Sequence, residues 1–151
     1  MHTAGRAMLS EAVLLALSPP ASHAQRRPER PGMLILHATS RAAWIEAAAA
    51  GAFSAPSLEE EGFIHCSTPA QFERVARAFP PLEGLVLLCL DEARIDAEVR
   101  YEGSIEDGPR FPHVYGSINL DAVVDVVALP QGPGGRYRLP AEIARLERRY
   151  A

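Results

Sequence analysis

Apolar residues along this chain come in short blocks whose period changes between turn signals. Residues 33–38 (Met-Leu-Ile-Leu-His-Ala) form a run rich in branched side chains, which predicts a strand. Ser40 then caps a predicted helix through Ala50, with Trp44, Ile45 and Ala48 on its inward side and Gly51 as the stop. The chain turns at Ser54, Ala55 and Pro56. Ser57 to Glu60 has capping-box spacing and predicts one helical turn ended by Gly62. Residues 63–67 read as a second strand. It runs into Thr68, Pro69, Ala70 and Gln71, a capping box with proline at the first helical position. That helix is expected to reach about Ala78, before Pro80 and Pro81.

Residues 85–90 are continuously apolar, the signature of a central buried strand. Residues 98–102 alternate weakly, 103–109 form a polar loop, 111–118 are extended, and 123–129 are another apolar strand. Residues 131–135 read as a flexible loop. Pro140 opens a last amphipathic helix with Ile143 and Leu146 inward. No internal repeat is present. The sum is an α+β domain over 33–151, of about six strands and three or four helices.

Residues 1–32 stand apart, with four of the 13 prolines and no aromatic residue. They read as a disordered extension or a mis-assigned start, with Met33 as the true beginning. A secretory signal is the weaker alternative. Its apolar stretch, Ala12 to Leu17, is short, and Glu11 abuts it.

Composition narrows the function classes. The 151 residues are 48% hydrophobic and 23% charged, enough to bury a core. All 15 basic residues are arginine, against 19 acids, for a net charge of −4. That balance argues against general nucleic-acid binding but leaves room for a small positive pocket. No apolar run approaches the roughly 20 residues that span a bilayer, and the expected location is the cytoplasm. Cys66 and Cys89 lack metal-type spacing and sit in apolar runs, as small buried thiols do.

Three histidines fall in the domain, each beside or in a predicted strand and each followed two positions later by a hydroxyl residue. The pairs are His37 with Thr39, His65 with Ser67, and His113 with Tyr115. Side chains two apart on a strand share a face. Each strand would therefore present an imidazole with a hydroxyl. A lone strand histidine is usually a hydrogen-bonded structural residue. Three converging on one cleft could instead hold a metal, bind phosphate or orient a ribose. The expected helix start at Thr68 adds N–H groups suited to an anion near His65 and Ser67. Glu59 to Glu61 read as a solvated helix start. Glu98, Arg100 and Glu102 share one strand face, and Glu102 could reach the cleft. Trp44, Phe53, Phe63 and Phe111 read as core.

The segments Leu36 to Thr39, Gly62 to Thr68 with Gln71, and Phe111 to Gly116 resemble a bacterial family, domain of unknown function 952, over about residues 33–129. That family is similar in fold to the ADP-ribosyltransferases and RNA 2′-phosphotransferases. The resemblance implies a small mixed, split β-sheet with flanking helices, an ADP-ribosylation-like architecture. His37 matches the first-strand motif and His65 the second. Glu102 is the acidic candidate for the third and His113 its replacement. The implied cofactor is NAD, and the partner is a small nucleotide or phosphorylated ligand, with no metal and no membrane. Catalytic roles then fall to His37, His65, His113 and Glu102, and ligand binding to Thr39, Ser67, Thr68 and Tyr115. Cleavage of the nicotinamide–ribose bond passes through an oxocarbenium-like state, which a carboxylate suits, whereas imidazoles suit phosphate. The alternatives are a non-catalytic nucleotide- or ADP-ribose-binding module, a tri-histidine metal-dependent hydrolase, and a small fold with structural histidines.

Overall fold

One strand, Leu85–Asp91 (β4), is buried along its whole length, because it is paired on both edges and packed on both faces. It lies between Leu34–Ser40 (β1) and Val123–Leu129 (β8), both antiparallel to it. The computed structural model describes residues 32–103 and 106–150. The assignment of residues 1–32 as an extension or mis-assigned start lies, but for Gly32, outside the described residues.

The remaining strands are Ala52–Phe53 (β2), Ile64–His65 (β3), Glu98–Glu102 (β5), Phe111–Tyr115 (β6) and Ile118–Asn119 (β7). The order β3-β6-β5 makes a second sheet, and β2 pairs with β7. The helices are Arg41–Ala50 (α1), Pro56–Glu61 (α2), Phe72–Ala76 (α3) and Ala141–Glu147 (α4). The α+β class is as the sequence predicts. The expectation of a mixed sheet is corrected: every ladder among the described residues is antiparallel. Only residues 103–110 separate β5 from β6, fewer than a parallel crossover needs.

Alternation along the strands splits the core in two. Leu34, Leu36, Leu85, Leu87, Cys89, Val127 and Leu129 face α3 and α4, and pack on Phe72, Ala76, Ile143 and Leu146. Ile35, Val86, Leu88 and Leu90 face the other way, toward Ala47 of α1, Phe53, and the inner side of β3 and β6 through Ile64 and Val114. This second core ties the two sheets together.

Local chemistry accounts for the helix ends. Ser40 Oγ accepts from the Ala43 amide at 3.0 Å, and Gly51 closes α1 at φ 95°, a conformation that glycine adopts without Cβ strain. Ile45 was expected inward but is 53% exposed, and Ala43, Trp44 and Ala47 face the core instead. Position 45 is about 100° round the helix from Trp44 and misses the apolar stripe. α2 begins two residues earlier than the expected cap at Ser57 implies, at Pro56, with no side-chain cap. Ser57 Oγ donates to the Phe63 carbonyl at 2.8 Å, so no capping box forms at that position. The expected strand over 63–67 narrows to two residues plus an isolated bridge at Ser67. The expected helix to Ala78 is a 3-10 turn, Pro69–Gln71, followed by the five residues of α3.

Leu88 is fully buried at the contact between the central strand and the second core. Leu88→Ala is expected to cost about 2–5 kcal/mol, read as a lowered midpoint in urea unfolding with the slope unchanged.

Candidate functional site

The outer face of the β3-β6-β5 sheet follows from its register. His65 lies opposite His113, and His113 opposite Arg100. Tyr115 lies opposite Glu98, and Phe111 opposite Glu102. Ile64 and Val114 turn into the second core, so their neighbours of opposite parity stand outward. Phe63, His65, His113, Tyr115, Arg100 and Glu102 therefore share one surface.

Their contacts are specific. The Phe63 and His113 rings stack at 4.1 Å with an interplanar angle of 16°. His65 meets His113 edge-on at 5.3 Å, and Phe63 meets His65 the same way at 4.8 Å. His113 Nδ1 lies 2.9 Å from Glu102 Oε1, and the Tyr115 hydroxyl donates to the same oxygen at 2.5 Å. The Tyr115 hydroxyl, and after it His113, hold the Glu102 carboxyl below the usual carboxylate range. The same bond raises the Tyr115 phenol above its ordinary value. Arg100 sits 4.4 Å from the centre of the Tyr115 ring and pairs with Glu98 at 3.0 Å.

The partners also fix tautomers. A carboxylate only accepts, so His113 Nδ1 carries a proton and its Nε2 keeps a lone pair in the neutral ring. His65 Nε2 lies 3.1 Å from Glu61 Oε2, which leaves His65 Nδ1 uncommitted. On this face the free ring nitrogens can accept from a ligand hydroxyl or take up a proton.

His37 stands elsewhere. The register Leu36 with Ser67 puts His37 on the face of Ile35, and its ring packs 5.2 Å from buried Phe53. Leu36 and Ser67 exchange both backbone hydrogen bonds, at 2.7 and 2.9 Å. The next rung of an antiparallel ladder would set Ala38 against the His65 carbonyl. That carbonyl instead accepts from His37 Nδ1 at 2.6 Å. The imidazole ends the ladder, and the two sheets diverge there. The expected convergence of three histidines is thus corrected: His65 and His113 meet, and His37 braces them from behind the sheet. Burial lowers the His37 pKa, the bond to His65 opposes that, and the nearby His65 ring adds to it.

Of the expected ligand-binding residues, Tyr115 joins the face, whereas Thr39 shares the His37 side of β1. Ser67 is 3% exposed, and its hydroxyl has no partner among the described residues. The anion site expected at Thr68 is corrected. The Thr68 amide is taken by Gln71 Oε1 at 3.0 Å, and the turn behind it is 3-10. Gln71 Nε2 in turn donates to the Arg110 carbonyl at 2.6 Å. No group of three His, Cys, Asp or Glu among the described residues is disposed to hold a metal ion, so the tri-histidine metal reading lacks its ligand set. Cys66 and Cys89 are buried free thiols, as expected, and burial raises both; Cys89 is pushed up to about 12. No helix among the described residues is long and apolar enough to cross a membrane.

The sequence places Phe63 in the core and Glu61 in solvent. Both touch the site histidines. The available signal for Phe63 was its parity with His65, and for Glu61 the spacing of four to the same residue.

A family profile described as "Protein of unknown function (DUF952)" matches residues 38–126. The crystal structure of protein CC0527 from Caulobacter crescentus is similar, at 30% identity and a TM-score of 0.67. The match covers 74% of this chain and 99% of that one. The solution NMR structure of CC0527 matches at 31% identity and a TM-score of 0.63, over 74% of this chain and 97% of that one. No curated protein matches the chain.

The lowered His37 pKa has a signed consequence. A histidine whose folded pKa lies below its unfolded value of ~6.5 stabilises fully above that value. The stability is lost as pH falls toward the folded pKa. Urea midpoints are expected to drop from pH 8 to pH 5. His37→Asn, which keeps an N–H donor but does not titrate, is expected to show a shallower drop.

Proposed function

This chain belongs to the DUF952 family, and we propose that it binds NAD or a related phosphorylated nucleotide on the His65–His113–Glu102 face and acts on the bond at the ribose. The observation that carries this reading is the His113–Glu102–Tyr115 cluster, with His65 beside it. It sets an ionised carboxylate and two imidazoles with uncommitted nitrogens on one surface.

The roles follow from atom types. Glu102 Oε1 is occupied by Tyr115 and His113, and Oε2 is the oxygen that would face a developing oxocarbenium. His113 Nε2 would take the proton from an attacking hydroxyl as the nicotinamide leaves with the electrons of the broken C–N bond. The half-buried rings of Phe63 and Tyr115 would offer apolar contact to a base or sugar ring. Arg100 supplies a guanidinium at the border of the face for a phosphate. His37 is a positioning residue, because it touches the ligand face only through the His65 backbone. The likeness to the ADP-ribosylation fold rests on the strand motifs around His37 and His65.

A non-catalytic binding module is the second reading. Its support is that the Glu102 carboxylate is already bonded twice, which suits recognition.

Titration calorimetry of the full chain with NAD and ADP-ribose is expected to give sub-millimolar binding, weakened about tenfold by His113→Ala, or ~1.4 kcal/mol. Nicotinamide release is expected from the wild type and absent from Glu102→Gln. Binding without release selects the module. No heat from either ligand at about 1 mM, some 4 kcal/mol of affinity, removes the proposal.

A further inference from the structure

Charge is distributed unevenly along the chain. The segments 72–79 and 131–150 hold seven arginines against three acids. The rest of residues 33–130 holds four arginines against fourteen acids. The two basic segments come together in space. Arg77 follows α3, and Arg136 and Arg138 lie before α4. All three line a cleft of about 670 Å³, with Glu73, Ala76, Phe79 and the Gly134–Gly135 turn. This volume lies within the range of about 300–1,000 Å³ seen for small-molecule sites.

The cleft is built on a fixed support. Tyr137 is 5% exposed, and its hydroxyl donates to the Leu82 carbonyl at 2.6 Å and accepts from the Leu82 amide at 2.9 Å. Gln131 and Tyr137 form a bridge, and the Gly132 amide donates to the Arg136 carbonyl at 2.6 Å. With Tyr137 anchored inward, its neighbours Arg136 and Arg138 are both turned out toward the cleft. Gly134 and Gly135 have φ of 72° and 74°, which brings backbone rather than side chain to the rim. Among the described residues Glu73 is the one acid lining the cleft, and it accepts from the Leu139 amide at 3.2 Å. None of the three guanidinium groups has a carboxylate partner among the described residues.

We propose that this cleft binds a small molecule carrying two linked phosphate groups. Three guanidinium groups bring more positive charge than the roughly 1.5–2 negative charges of one phosphate group neutralise, and arginine matches phosphate oxygens in bidentate pairs. A basic cleft in an otherwise acidic domain also draws anions to this one place. The inference is independent of the histidine face, which uses none of these residues.

Inorganic pyrophosphate is the probe, titrated calorimetrically into the full chain at low salt. It is expected to bind at least about tenfold more tightly than orthophosphate, or ~1.4 kcal/mol. Arg136→Ala with Arg138→Ala is expected to weaken pyrophosphate about tenfold. Arg148→Ala with Arg149→Ala, which removes the same charge outside the cleft, is expected to change it less than about twofold. If the first pair fails to fold, Arg77→Ala reads the same cleft from the other side. Equal loss in both pairs overturns the proposal, as does no heat with about 1 mM pyrophosphate. It is also overturned if a single-stranded RNA binds more tightly than pyrophosphate and loses affinity equally in both pairs, since that describes a diffuse basic surface.

Discussion

The hydrogen bond from His37 Nδ1 to the His65 carbonyl decides where this sheet ceases to be continuous. One rung, Leu36 with Ser67, joins β1 to the segment after β3. Beyond it a side chain takes the acceptor that a backbone amide would use. The β3-β6-β5 unit is then free to swing its outer face away from the sheet around β4. The outer face stays open to solvent while the inner face packs on the second core. A continuous ladder would align His65 and His113 with the Leu36 side of β1, where α3 covers the surface.

That geometry separates two kinds of histidine. His37 is a structural member whose ring is half-buried against Phe53, and burial holds it neutral. His65 is exposed and His113 only 14% exposed, and both are oriented by acceptor carboxylates, Glu61 and Glu102. The orientation matters more than the number of rings. Each carboxylate fixes which ring nitrogen bears the proton, and so which one faces outward.

Much of the fold was legible because it rests on local patterning. The apolar run of β4 announced a strand covered on both faces. Ser40 and Gly51 bounded α1 through chemistry that acts within one turn. Ile143 and Leu146 identified the buried side of α4. The site was less legible, since its decisive fact is a register. Parity along each strand paired the histidines with hydroxyls correctly but could not say how β1 meets β3. A shift of one residue between them moves His37 to the other side. Glu102 with His113 was visible only as two separate candidates, because the 2.9 Å contact depends on the β5–β6 pairing. The short α3 was overestimated because proline and a capping box mark where a helix starts and say little about its length.

Strand β5 is hydrogen-bonded to a neighbour along a single side among the described residues, so its other margin offers bare amides and carbonyls. Glu98, Arg100 and Glu102 stud that margin with charge. Fixed charge at an open margin discourages a foreign strand from docking there, the first step of fibril growth. The groups that would meet a ligand thus also guard the chain against itself, and an effort to make this surface more apolar for tighter recognition would trade away colloidal solubility.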